Sequence, residues 1–194
     1  RSFLMSRPAV ARLSVPVSAA ALLLAIAPAS AADYVQAPGS TLAFATQYDG
    51  EVFSGHFGQF TTTLSFDPAD PAAARLDVVI PLASATTANA DRDSTLKGPD
   101  FFAVSKFPQA RYTASGFRDL GDGRYAADGE LSLRGVVHPV TLTFTFTDGA
   151  TAVLDGKATV QRLDFNVGGG DWADLSLLPN PVAISTKVRL QPVD

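Results

Sequence analysis

"PVTLTFTFT", residues 139–147, alternates without a break. Val140, Leu142, Phe144 and Phe146 fall on one side, and Thr141, Thr143, Thr145 and Thr147 on the other. Successive strand side chains point to opposite faces. The stretch therefore predicts a β-strand with one buried and one solvated face, the pattern of an antiparallel sheet. Its neighbours read the same way. "VAISTKVRL" (182–190) sets Val182, Ile184, Thr186, Val188 and Leu190 against Ser185, Lys187 and Arg189. "FGQFTTTLSF" (57–66) puts Phe60, Thr62, Leu64 and Phe66 on one face, and "RLDVVIPL" (75–82) does so with Leu76, Val78, Ile80 and Leu82. Tyr112, Ala114 and Gly116 share a further face.

Turn signals separate these runs. Gly121-Asp122-Gly123 and Asp148-Gly149 tolerate positive φ and predict hairpin turns, and "DPADP" (67–71) predicts a surface loop. About eight strands follow, near 42–48, 57–66, 75–81, 111–117, 124–133, 139–147, 151–162 and 182–190, with ends uncertain by ~2–4 residues. Many antiparallel strands joined by hairpins must hide their edges by closure or by a second sheet. An up-and-down barrel and a sandwich both satisfy that condition.

One segment breaks the rhythm. "DRDSTLKGPDFFAVSKFP" (91–108) is charged first and Phe-rich afterwards. Asp91 is suited to cap a short helix, Gly98 to end it, and Pro99 to open a second turn. Residues 84–108 thus form a long connection with short helices of its own, and such connections tend to be lids or binding loops. Its phenylalanines need an apolar surface, and the open end of a barrel offers one.

Composition narrows the function. Residues 1–31 read as a secretory signal: Arg7 and Arg12 precede the apolar run Val17–Ile26, and Ala29-Ser30-Ala31 has the form of a cleavage site. The remaining 163 residues, 32–194, suffice for one domain with a real core. Without Arg1, Arg7 and Arg12 the chain keeps 12 basic residues against 19 acidic, a formal charge of −7. That balance argues against nucleic acid and anionic membrane surfaces as partners. There is no cysteine, so thiol catalysis and Cys-ligated metals are excluded, and the one methionine, Met5, leaves with the signal. His56 and His138 are the only histidines and belong to no metal-spaced cluster. His138 is expected just ahead of a strand and exposed. Asp91, Asp93 and Asp100 lie close enough to imitate an acid pair, although capping and solvation account for Asp91 and Asp100 more simply. Gly168-Gly169-Gly170 lacks the lysine and helix of a phosphate loop. Arg134 and Arg162 are expected to bind strand-end carbonyls or carboxylates.

Three segments, in order, resemble the YceI-like, polyisoprenoid-binding proteins. "TANADRDSTLKGPDFFAVSKFPQARYTASGF" (87–117) is similar to the family's Arg-Asp, Leu-Lys, Asp-Phe-Phe and Lys-aromatic-Pro series. "DGELSLRGVVHPVTL" (128–142) resembles its later strand pair, through Gly129, Leu131, Leu133, Arg134, Gly135, Pro139 and Val140. "RLDFNVG" (162–168) resembles an Arg-x-Asp-Phe-Gly-x-Gly segment, with Asn166 where the family has a glycine. Gly39-Ser40 stands in place of the family's His-Ser.

The resemblance implies an all-β, extended, eight-stranded antiparallel lipocalin-like barrel with short helices in the 84–108 connection. It implies a periplasmic, non-enzymatic carrier of a polyisoprenoid, isoprenoid quinone or other long apolar lipid. No cofactor is expected beyond that lipid. The family's similarity to domains associated with cytochrome b561-type proteins suggests transient contact with a membrane redox partner.

An eight-stranded barrel either fills itself with side chains or holds one small ligand. The residues alone leave a tunnel and a solid, partner-docking barrel open. If a tunnel is present, its expected lining is Phe44, Phe60, Leu64, Val78, Ile80, Tyr112, Leu131, Leu133, Phe144, Phe146 and Ile184, with Phe101 and Phe102 as a collar at the mouth. Burying ten methylenes there would contribute ~8 kcal/mol gross, part of it offset by immobilising the ligand. Arg92 and Lys97 are expected at the rim, meeting either a ligand headgroup or nearby aspartates.

Overall fold

The computed structural model describes residues 31–193; the expected signal segment lies outside them, apart from its last residue. Twelve strands form one continuous antiparallel sheet. They are β1 (Ala32–Gln36), β2 (Thr41–Tyr48), β3 (Glu51–Phe57), β4 (Thr61–Phe66), β5 (Arg75–Pro81), β6 (Ala85–Thr86), β7 (Gln109–Ser115), β8 (Phe117–Gly121), β9 (Arg124–Leu133), β10 (Val136–Thr147), β11 (Ala152–Gln161) and β12 (Pro181–Pro192). One helix, α1 (Ala90–Lys97), lies in the 84–108 connection.

Eight of the strands close on themselves in the order β1, β4, β5, β7, β9, β10, β11, β12, and β12 returns to β1 through pairs such as Tyr34 with Pro192. Full closure leaves no free edge in that ring. At its N-terminal half β12 leaves β1 and pairs instead with β2, which carries β3 and β6 beside it and extends one end of the barrel.

The ring holds eight strands, as expected, but the strands differ from those expected in three places. The expected strand 57–66 is two strands, β3 and β4, separated at Gly58–Phe60, where the Gly58 amide leaves the ladder and donates to the Ser84 carbonyl. The expected strand 111–117 breaks at Gly116, whose φ of +77° turns the chain from β7 into β8. β1 lies beyond the first expected strand. It has a short inward pattern, Tyr34 and Gln36, that shows its role only when paired with β4 and β12.

The hairpins follow turn chemistry. Gly121, Asp122 and Gly123 all have positive φ between β8 and β9, and Arg134 with Gly135 makes the β9–β10 turn at +53° and +74°. His138 sits inside β10, half-buried with its ring edge-on to Phe165, and not on an exposed lead-in. β10 begins at Val136 because that two-residue turn allows pairing at once.

One end of the barrel is closed by rings. Phe66 packs against Phe117, Tyr125 and Phe146, while Phe144 packs on Phe117 and Tyr125, with centroids 4.9–5.7 Å apart. Edge-on and offset contacts of this kind are favoured by the ring quadrupole. The opposite end is where the cap lies.

Candidate functional site

Above the aromatic plug the inward side chains do not meet. They enclose a cavity of about 210 Å³, measured for the centres of water-sized spheres, with a wall that is almost wholly aliphatic and aromatic. One sphere centre of that size needs ~10–15 Å³, so the space exceeds that of a buried water many times over. Phe44, Phe60, Val78, Ile80, Tyr112, Leu131, Leu133 and Ile184 line it from the strands, and Phe101 and Phe102 from the connection. Leu64, Phe144 and Phe146 face inward but do not line it. Phe144 and Phe146 belong to the plug, because they stand on the half of β10 opposite Tyr125 and Arg124. Leu64 pairs with Tyr34 and Leu76 one level below the lining residue Thr62.

Two inward side chains need a missing Cβ across from them. A Cβ on Gly129 would stand 2.5 Å from the Tyr112 ring and hydroxyl, and one on Gly55 would stand 2.4 Å from the tip of Phe44. The Tyr112 hydroxyl reaches the carbonyls of Val140 and Ala127 at 2.8 and 3.0 Å. Burial pushes its pKa up to about 12, so it stays a neutral donor committed to the backbone.

The cap is assembled from α1, residues 98–108 and the loop 166–180. Asn89, and not Asp91, caps α1: its side-chain oxygen accepts from the Arg92 amide at 2.9 Å. Asn89 holds the extended conformation that a cap residue needs, whereas Asp91 is already helical. Gly98 ends the helix as expected. Leu96, an apolar residue on a polar helix, turns into the cavity. Phe101 and Phe102 are only 9% and 8% exposed. Phe101 meets Trp172 edge-on at 5.3 Å, and Phe102 meets Phe57, which in turn packs on Phe44. Phe107 is half-buried over Gly135.

Polar anchors hold these pieces in place. Arg134 donates to the carbonyls of Pro99 and Phe101. Arg162, 3% exposed, donates to five carbonyls: Pro179, Val167, Gly168, Trp172 and Leu178. A guanidinium has five N–H donors, so Arg162 is saturated by the loop it organises, and burial lowers its pKa. Asn166 adopts the left-handed conformation at φ +55° and keeps that loop's turn. Asp93 fastens α1 to β6. It accepts from the Thr87 hydroxyl at 2.6 Å, the Thr87 amide at 2.7 Å and the Thr86 hydroxyl at 2.9 Å. The Thr87 hydroxyl is the main reason its pKa is held below the ordinary value. Both Asp93 oxygens are thus engaged in holding the helix, while Asp91 and Asp100 are exposed.

Arg92 and Lys97 do not line the cavity. Neither pairs with an aspartate; among the described residues the ion pairs are Arg111–Asp77 and Arg118–Asp128, on the outer face. Arg92 lays its guanidinium over the Phe53 ring, 4.3 Å from the centroid, a cation–π contact at the rim. Among the described residues no three His, Cys, Asp or Glu side chains converge as a metal site.

Several lining residues are absent from the expected set. Phe53 and Phe57 come from β3, where "VFSGHF" does alternate, so the signal was present. Val167 and Leu178 come from an irregular loop with no periodicity to reveal them.

Residues 34–192 match the family model described as the YceI-like domain. The chain belongs to the YceI-like family. A UPF0312 protein of Vibrio vulnificus is 30% identical to this YceI-like chain across 86% of it and 96% of the relative. Among solved structures, BcnA of Burkholderia cenocepacia superposes with a TM-score of 0.74 at 28% identity, over 77% of this chain and 95% of that one. A polyisoprenoid binding domain from Saccharophagus degradans superposes with a TM-score of 0.65 at 16% identity, over 84% and 99%. The second likeness establishes a shared fold.

Proposed function

We infer that this YceI-like protein is an exported carrier that holds a long-chain apolar ligand of isoprenoid type inside its barrel, without turning it over. The observation that carries the reading is the capped cavity, whose wall of Phe, Leu, Val and Ile side chains suits hydrocarbon and little else. Burial of each methylene contributes ~0.8 kcal/mol, so a chain of several isoprene units binds without a charged anchor. The Saccharophagus degradans domain, named for polyisoprenoid binding, has the same fold and supports this class of ligand. The expected leader is consistent with work in the periplasm.

The test is direct. The protein is expressed with its leader, recovered from the periplasm and extracted with organic solvent for mass spectrometry. A stoichiometric isoprenoid lipid is expected. Recovery without any lipid, together with failure to take up an added C15 or longer isoprenoid, overturns the reading.

A further inference from the structure

The apolar wall carries two hydroxyls that its chemistry does not explain. Thr62 is 1% exposed, lines the cavity from β4, and its Oγ1 has no hydrogen-bond partner among the described residues. Thr46 lines the cavity from β2, and its Oγ1 is likewise buried and unpartnered. The two stand at different levels. β4 runs from Thr62 to Leu64 to Phe66, so Thr62 is the last residue of that strand to line the cavity before the plug. Thr46 pairs with Phe53, the ring beneath Arg92 at the cap.

A further buried orphan atom belongs to β1, outside the cavity lining. The β1–β4 ladder ends at Val35 with Thr63, and Gln36, the next residue of β1, pairs with Leu190 of β12. The Gln36 amide nitrogen donates to the Phe60 carbonyl at 2.9 Å, while its Oε1 is buried without a partner. An isolated buried hydroxyl costs free energy, and valine would fill the Thr62 site with the same shape. A fully buried hydroxyl without a partner on the wall of a hydrocarbon pocket marks a place where a ligand atom completes the hydrogen bond.

Resting on the carrier reading, we propose that Thr62 is a subsite for a neutral oxygen, so that the preferred ligand is an apolar chain whose hydroxyl or carbonyl end enters the barrel first. The hydroxyl both donates to a carbonyl and accepts from an alcohol. An anionic end is not served there. Arg162, a cationic residue of the wall, has all five donors engaged by carbonyls, and an unpaired charge at that depth is costly. A phosphorylated chain must keep its charge at the mouth.

The experiment measures affinities of the purified protein, stripped of lipid, for farnesol, for the hydrocarbon of the same skeleton lacking the hydroxyl, and for farnesyl phosphate. The variants are Thr62→Val and Thr46→Val. Wild type is expected to hold farnesol over the hydrocarbon by roughly two- to tenfold, the range of one hydrogen bond. Thr62→Val should erase that preference, leave farnesyl phosphate unchanged, and raise the melting temperature of the stripped protein. Equal affinity of wild type for alcohol and hydrocarbon overturns the subsite while leaving the carrier reading intact. Loss of the preference in Thr46→Val alone overturns its placement at Thr62. A lower melting temperature of Thr62→Val with the preference retained assigns the hydroxyl to a structural water and overturns the proposal. Failure of all three probes to bind removes the carrier reading and the subsite together.

Discussion

The Tyr112 ring lies over residue 129, which has no side chain, and its hydroxyl ties β7 to the carbonyls of Ala127 on β9 and Val140 on β10, the next two strands of the ring. Gly129→Val puts a branched side chain where a Cβ already stands 2.5 Å from the ring. The Tyr112 side chain is 8% exposed, and moving its ring into the cavity would break the bonds of its hydroxyl to the Ala127 and Val140 carbonyls. Overpacking of this kind costs about 1–3 kcal/mol, so a lower denaturant midpoint with an unchanged slope is expected. A Gly129→Val protein with wild-type midpoint would mean that Tyr112 swings out freely. The same residue scale explains Arg162, whose five bonds reach Val167, Gly168, Trp172, Leu178 and Pro179. One side chain thus organises a loop that has no ladder of its own.

At the scale of elements, the 84–108 connection unites two chemistries. Its polar helix is held outward by Asp93, Thr86 and Thr87, and its two buried rings close the cavity. Replacing Phe101 and Phe102 together by alanine removes the cap's contacts with Trp172 and Phe57. Release of a fluorescent isoprenoid probe should speed up at least tenfold, with a smaller loss in stability because the aromatic plug at the far end is untouched. A protein that simply unfolds would reclassify the segment as core. The helix anchor also depends on pH. The folded pKa of Asp93 is depressed, chiefly by the Thr87 hydroxyl, whereas unfolded it titrates near 3.9. Its contribution is therefore fully present above that value and is lost as pH falls through the lowered folded pKa. The stability gap between wild type and Asp93→Asn should narrow steadily when melting is measured from about pH 5 down through the carboxylate range. A gap that widens on acidification would contradict the assigned bonds.

At the scale of the whole molecule, the barrel is divided along its axis. A half packed with rings supplies rigidity, and a half left open supplies the cavity. Closure depends on pairs far apart in sequence, β1 with β12 above all, so folding should be slow for the chain's size. A ligand that fills the cavity stabilises the folded state by about 2.7 kcal/mol at a hundredfold excess over its Kd. For a domain of this size that corresponds to a rise in melting temperature of roughly 5–10 °C. Absence of any shift with saturating farnesol would argue against occupancy of the cavity.

The amino-acid sequence by itself determined the strand faces, most of the turns and the family, because these depend on local periodicity, on residues that tolerate positive φ and on short ordered motifs. The alternation at 139–147 alone places Phe144 and Phe146 inside. It does not say at which height along the axis they stand, since height is set by the register of β10 against β9 and β11. That register, settled by closure of the ring, put those two rings into the plug and left Val140 and Leu142 around the cavity. Arg92 found a ring and not a carboxylate for the same reason. Its partner Phe53 lies far away in sequence, on a strand that the pairing of β2 with β3 brings beneath the cap. Tertiary structure decided where the interior is filled and where it is open, because filling depends on which side chains meet across the barrel, and no single strand carries that information.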